Sequence, residues 1–392
     1  MNHRVDCVTF IGDGKMRLGY VSGIARLFVS SLRCCTLRLL VAALLAIIAI
    51  DVASAAPNCS PRAVSTIDAA VKDTYATRRL PSLTVAVLCG DIVVYLHSYG
   101  YSDVDDGVSA SPATAYEIGS ITKQFTAAGI VLLEHQGRLA LDDRVSKYVP
   151  EFPLARRLTI LELLNHTSGL SEYSELPNFS TLEVNKTTPL QTLNDLNPTV
   201  RFPPGKQFYY SSSNYVLLGM IIDKLTGQRW QDFIRATFFL PANMSTASFY
   251  DPTRVVSNRA MGYEGSGTSL AHAEYHDPSW AFGEGGIVAT ASDLMQWDRA
   301  LFADRILDPQ MFSEMQEPGR LSDGSTTNYG MGFFLGGVSG HREIWHGGVG
   351  VGGFRSENIL FPDDHVAFVF LSNSYDFKPN ALLKALTDAV FD

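Results

Sequence analysis

The segment Ala115-Tyr116-Glu117-Ile118-Gly119-Ser120-Ile121-Thr122-Lys123 decides how this chain is read. Its first five residues read as extended chain running into a turn. Phe125 to Leu139 is apolar at helical spacing, which predicts a helix over about Ser120 to Gln136 with Gly137 at its stop. Ser120 then lies at a helix N-terminus, where unpaired N–H groups and the helix dipole favour developing negative charge. Lys123, three residues on, shares its face. A hydroxyl is a weak nucleophile until a neighbouring base takes its proton, and a partly buried lysine is one such base. A capping serine beside a solvated lysine satisfies the same spacing, so the other segments must decide.

Before this segment, Val64 to Arg78 has helical spacing, and Leu83–Leu88 and Ile92–Tyr95 flank the Cys89-Gly90-Asp91 turn as a hairpin. After it come predicted helices at Leu158–Asn165 and Tyr215–Leu225. Another runs to Ala303 with Ser292-Asp293 as its cap. Thr167 to Thr199 is polar and reads as loop, a natural wall for a pocket. The C-terminal part changes character. Gly330–Gly337, Arg342–Trp345, Phe354–Phe361 and Val366–Ser372 read as short strands, and Asn380–Phe391 as a helix. Strands at both ends with helices between define an α+β fold: an antiparallel sheet from N- and C-terminal strands, flanked by helices, with an all-helical subdomain.

The chain has 392 residues, 46% hydrophobic and 18% charged, an ordinary globular composition with enough length for a large core. The apolar run Leu39–Ile50 follows Arg26, Arg33 and Arg38 and ends in Ala53-Ser54-Ala55, a small-x-small cleavage pattern. That run is short for a membrane span and fits a signal peptide, with an uncleaved anchor as the alternative. The expected division is therefore 1–55 as signal or anchor and 56–392 as one domain. The expected location is periplasmic or secreted, with membrane contact only through the N-terminal segment. Formal net charge is −9, and 1–55 holds more basic than acidic residues, so the remainder is more acidic still. No basic run with interleaved aromatics is present, which argues against nucleic acid as a partner. Cys59 and Cys89 follow the cut; they either pair in an oxidising compartment or remain as a free and a buried thiol. His272 and His276 have metal-like spacing on a helix, but the Gly, Ser and Pro around them argue against a helix, so no metal is expected.

Tyr116 to Lys123 resembles the nucleophile segment of the serine β-lactamase and penicillin-binding family, especially its class C branch. Thr159-Ile160-Leu161-Glu162-Leu163-Leu164-Asn165-His166-Thr167-Ser168-Gly169-Leu170 resembles the next signature. Pro204 to Tyr215 resembles the Tyr-x-Asn element, and His346-Gly347-Gly348 the edge-strand triplet. The similarity runs from about Ile67 to Val390, with the four segments in the family's order.

The residues also make chemical sense unaided. Tyr210 lies between a Pro-Gly turn and an apolar helix, and a nearby lysine ammonium lowers a phenol's pKa, which suits it to take the Ser120 proton. Tyr209 is the adjacent alternative. The resemblance implies Tyr210 in that role with Lys123 as electrostatic partner. It also implies that His346 faces the tetrahedral intermediate, and that the N–H groups of Val349 and Ser120 form an oxyanion hole. Gly347 and Gly348 let a substrate backbone approach the strand. Ser212 departs from the pattern by standing where the family has Asn, and a hydroxyl is shorter and less oriented than an amide. Glu284-Gly285-Gly286 precedes a helix and reads first as a structural glycine turn, with a place in the pocket lining as the alternative.

The expectation is an exported serine hydrolase forming a covalent acyl-enzyme, without a cofactor. Its substrate is a small molecule or peptide: a D-alanyl peptide, a β-lactam or a small ester, with cell-wall peptidoglycan as a candidate partner. His at position 346 leans towards esterase or peptidase work. The rival is a non-catalytic peptidoglycan or lipid binder that keeps the fold, motivated by Ser212.

Overall fold

Aliphatic and β-branched residues at nearly every position of Ser82–Cys89 leave that strand (β1) no polar face, so it must lie at the centre of a sheet covered on both sides. The computed structural model describes residues 59–195, 200–350 and 352–392. In it β1 pairs on one side with Ile92–Asp103 (β2), which pairs with Val108–Ser109 (β3). On the other side β1 meets a C-terminal meander: Phe334–Val338 (β4), His341–Gly350 (β5), Phe354–Phe361 (β6) and Val366–Ser372 (β7). The order is β3-β2-β1-β7-β6-β5-β4, antiparallel throughout. The two ends of the chain join at β1–β7, with Thr84 opposite Leu371 and Cys89 opposite Val366. The signal or anchor expected over 1–55 lies outside the described residues.

Side-chain alternation sends Leu83, Val85 and Val87 to one face, where helices Pro61–Arg78 (α1) and Asn380–Phe391 (α6) cover them through Ile67, Val71, Leu382 and Leu386. Ala86 and Leu88 face the other way, into a larger core shared with Thr122–His135 (α2), Ser212–Thr226 (α4) and Ala291–Phe302 (α5). Helix α2 is buried at every position from Thr122 to Val131, as befits a helix at the middle of a core. The described residues form one compact unit.

Several boundaries differ from the sequence reading for local reasons. Gly119 takes φ +50° and Gly119–Ile121 form a tight 3-10 turn, so the helix proper starts at Thr122 and Ser120 sits in the turn that leads into it. The cap of α5 is Thr290, not Ser292: its hydroxyl accepts from the Asp293 N–H at 3.1 Å while the Asp293 carboxylate accepts from the Thr290 N–H at 3.0 Å. The same reciprocal box, Thr159 with Glu162, opens the short helix Ile160–Leu164 (α3). The strand expected at Gly330 starts only at Phe334, because a Cβ on Gly330 or Gly332 would run into backbone oxygens of Met315 and Lys123. The expected loop after Thr167 contains three short helical turns, Tyr173–Glu175, Phe179–Leu182 and Pro189–Asp195. The helical region also carries a three-stranded sheet in which Tyr116–Glu117 and Ser248–Phe249 flank Ile287–Ala289.

Candidate active site

The nucleophile segment is wedged between two glycine-dependent contacts. A Cβ on Gly119 would lie 2.8 Å from the Val349 carbonyl oxygen, and one on Gly348 would lie 1.9 Å from the Ile118 carbonyl oxygen. Strand β5 therefore lies directly against residues 118–120, and Ser356 of β6 ties the contact by donating its hydroxyl proton to the Ile118 carbonyl at 2.8 Å. This close approach sets where Ser120 sits.

From α2, Lys123 reaches back to the Ser120 hydroxyl with Nζ 2.9 Å from Oγ. The lysine has no exposed surface, and a buried ammonium needs partners for its protons. It has four acceptors: Ser120, the Ser212 hydroxyl at 3.3 Å, the Glu284 carbonyl at 3.1 Å and the Glu284 carboxylate at 2.6 Å. Burial works against the charged form, but Glu284 and Tyr210 outweigh it and hold the Lys123 pKa above its ordinary value. Lys123 is therefore an ammonium in the resting site, which removes it as a ready base.

Tyr210 precedes α4, and the Lys123 ammonium lies 5.1 Å from its ring centre. Its ring lies 4.4 Å from that of His166 and stacks on Phe334 at 5.9 Å. The lowered phenol pKa expected from the sequence is not what the structure produces. Burial pushes the Tyr210 pKa up, and the Lys123 charge offsets that only in part, with the Glu284 carboxylate working against it. Tyr209 turns outward, its hydroxyl 2.7 Å from Arg201.

His346 is corrected too. It does not face the cleft: it is 1% exposed, Nε2 lies 3.1 Å from the Tyr329 hydroxyl, and Nδ1 lies 2.7 Å from the Gly347 carbonyl. Burial, helped by the Lys123 charge, lowers its pKa to about 3, so the ring is neutral. Gly347 and Gly348 do not admit substrate either. The space over Gly347 is filled by the Glu357 carboxylate and that over Gly348 by Ile118 and Ser356. The residues of this strand that do border the cleft are Val349 and Gly350. Ser212 is the first residue of α4, 8% exposed, with its N–H donating to the Glu172 carboxylate.

The cleft has a volume of about 370 Å³ and runs from Ser120, Glu284 and Val349 towards Tyr250, Met261 and Tyr275. Its one guanidinium among the described residues, Arg259, is paired with Glu117 at 2.5 Å and stacked over Tyr250 at 4.0 Å. His272 and His276 also border it but are paired with different carboxylates, Asp105 at 3.2 Å and Glu183 at 2.7 Å. They share no ligand site.

Sequence reasoning missed three participants. Glu284 does line the cleft, the alternative to a purely structural turn, but its contact with Lys123 is unforeseen; the signal for it is a single carboxylate inside the otherwise apolar and glycine-rich run Trp280–Ala289. Tyr173 was assigned to a loop wall, yet its hydroxyl donates to Glu284 at 2.8 Å. His166 lay within a quoted signature without a role. It is fully buried at φ +58°, and its Nδ1 accepts from the Ser211 N–H at 3.2 Å, which positions the turn that carries Tyr210.

A hydroxyl on a tight turn, a buried ammonium, a phenol and a strand edge, set between an antiparallel sheet and a helical region, define the class: a serine hydrolase of the β-lactamase and transpeptidase fold. The chain belongs to the Beta-lactamase family, whose description matches residues 67–390. It is 31% identical to penicillin-binding protein 4* of Bacillus subtilis (strain 168) over 328 residues, which is 79% of this chain and 72% of that protein. It is 29% identical over 323 residues to protein flp of Staphylococcus aureus (strain NCTC 8325 / PS 47), and spans 62% of that longer protein. Among solved structures it resembles D-amino acid amidase from Ochrobactrum anthropi SV3 complexed with D-phenylalanine. There the TM-score is 0.73 at 25% identity, covering 83% of this chain and 98% of the other.

Proposed function

We propose that this protein is an exported serine hydrolase that forms an acyl-enzyme on Ser120 with small amides or esters that carry no terminal carboxylate. The observation that carries the reading is the Ser120–Lys123 contact at 2.9 Å, with the Tyr210 ring centre 5.1 Å from the same ammonium. Preorganised charge beside a hydroxyl in a dry site is the arrangement nucleophilic catalysis needs. The Val349 peptide, pressed against Gly119, is suited to stabilise the oxyanion together with the Ser120 N–H.

The substrate class follows from charge. A D-alanyl peptide terminus or a β-lactam carries a carboxylate, which needs a free cation. Arg259 is engaged, Lys123 is enclosed, and Glu274 and Asp277 add negative charge to the cleft. An amino acid amide or short ester meets no such conflict, in keeping with the likeness to a D-amino acid amidase. Export is supported by the disulfide between Cys59 and Cys89, a bond that persists in oxidising compartments. The rival non-catalytic reading rested on Ser212, but Lys123 takes its strongest contact from Glu284, so the serine does not leave the ammonium unheld.

Intact mass after exposure to a fluorophosphonate should show one adduct that Ser120→Ala lacks. Side-by-side turnover of a D-amino acid amide, a short-chain nitrophenyl ester, a D-Ala-D-Ala peptide and nitrocefin should favour the first two. Labelling of Ser120→Ala equal to wild type would sink the nucleophile assignment, and preference for nitrocefin would sink the substrate class.

A further inference from the structure

We propose that Glu284 is the terminal proton acceptor of this site, drawing the Ser120 proton through Lys123. The inference rests on the acyl-transfer reading above and adds a residue to it. The geometry is a relay: Lys123 Nζ lies 2.9 Å from Ser120 Oγ and 2.6 Å from Glu284 Oε2, with the lysine wholly enclosed. Tyr173 donates to the other carboxylate oxygen at 2.8 Å, which aims Oε2 at the ammonium. The Glu284 carbonyl grips the same Nζ at 3.1 Å, and Thr126 anchors the preceding Gly283 carbonyl at 2.6 Å. One turn thus holds both ends of the lysine's charge. Glu284 also borders the cleft beside Ser120, so it stands at the reacting face.

The other titratable groups around the ammonium are poor acceptors at rest. Tyr210 and Tyr215, whose ring centres lie 5.1 and 5.7 Å away, keep their protons because burial disfavours the phenolate. His346 has both nitrogens engaged, and His166 is bonded to Ser211. Glu172 takes the Ser212 N–H and has no contact with Lys123 in the hydrogen-bond network. The carboxylate of Glu284 is the base that touches the ammonium.

The step balances as follows. Ser120 Oγ forms a bond to the carbonyl carbon while the carbonyl pair moves onto oxygen. The hydroxyl proton passes to Nζ, and Nζ releases one of its own to Glu284 Oε2. On collapse, the bond to the leaving amine or alcohol breaks with its electron pair, and the leaving atom takes the Tyr210 proton. Lys123 reprotonates the phenolate and Glu284 returns its proton to Lys123. The serine proton ends on the leaving group and every side chain regains its starting state. Water attacks the acyl-enzyme by the reverse path.

The test compares the full chain with E284Q and E284D in pH–rate profiles of fluorophosphonate labelling at Ser120 and of nitrophenyl acetate hydrolysis, with thermal melts alongside. Wild type should lose rate towards acid pH. E284Q should lose about 10²-fold or more in kcat/KM at pH 7. It should also lose the acid limb and gain activity towards alkaline pH, because a buried lysine without its counter-ion gives up its proton more readily. E284D should keep the acid limb at a reduced rate. E284Q that retains the acid limb and stays within about threefold of wild type overturns the proposal. So do E284Q and E284D that fall equally with unchanged profile shape. Should E284Q not fold, an E284D limb displaced from wild type supports the relay and an undisplaced one overturns it. Wild type that never labels at Ser120 fails differently: it removes the acyl-transfer reading itself.

Discussion

At the scale of the residue, the site turns on which of two adjacent phenols faces inward. Tyr209 donates its N–H to the His166 carbonyl at 3.0 Å and sends its ring out to Arg201, which leaves Tyr210 over the ammonium. Burial keeps Tyr210 protonated at rest, so in the proposed reaction it supplies the leaving group's proton. Tyr210→Phe should therefore cut turnover of a nitrophenyl ester by about 10²-fold or more with little change in KM. A steady-state comparison decides it, and unchanged kcat would move the acid to another donor. Ser212 belongs to the same scale. Its hydroxyl gives Lys123 a contact of 3.3 Å, the longest of the four, and the carboxylate of Glu284 holds what the shorter side chain cannot.

At the scale of the element, β5 serves two faces at once. His346 and Gly348 point to the nucleophile side, while Glu343 and Gly347 point to the other, where Glu357 of β6 lies across the glycine. That second face holds two acidic groups with little to neutralise them. Glu357 has Arg355 at 2.7 Å, whereas one oxygen of Glu343 has no partner. Burial raises both, Glu357 to about 6 from an ordinary 4.5, and the Glu343 charge adds to the cost of ionising Glu357. The sign follows from linkage. The unfolded chain ionises first, so the stability these groups allow is complete below about pH 4.5 and falls as pH rises through about 6. Glu343→Gln should raise the melting temperature by a few degrees at pH 7.5 and leave it unchanged at pH 4 in a calorimetric scan. A variant with the same shift at both pH values would show that packing, not ionisation, is the cause.

At the scale of the whole molecule, the sheet is closed by strands from opposite ends of the chain, so α1 and the β1–β2 hairpin must stay docked for β5 to hold its place against Ser120. The Cys59–Cys89 disulfide ties the start of α1 to the end of β1 across a sequence separation of 30 residues. Loop-closure entropy puts its contribution at about 3–4 kcal/mol. Reduction, or Cys59→Ser, should lower the denaturant midpoint accordingly and leave fluorophosphonate labelling intact under native conditions. Loss of labelling in the folded, reduced protein would show that the bond also shapes the site.

Much of this was legible in order and spacing. Local pattern alone placed β1, β6, β7 and α6 within a residue or two, because alternation and helical period are local properties, but it ended β2 at Tyr95 where the strand runs on to Asp103. Ser120, Lys123 and Tyr210 were readable because a turn before an apolar helix is a local event. The roles of His346, Gly347, Gly348 and Glu284 were not. Each depends on what a distant segment brings: Tyr329 to His346, Glu357 to Gly347, Ile118 to Gly348, Lys123 to Glu284. The chain by itself determined most of the elements, their order and the place of Ser120 and Lys123 at the start of an apolar helix. Only the tertiary structure decided which charges survive burial, because a pKa in a dry interior is set by neighbours across space, and sequence position carries no record of them.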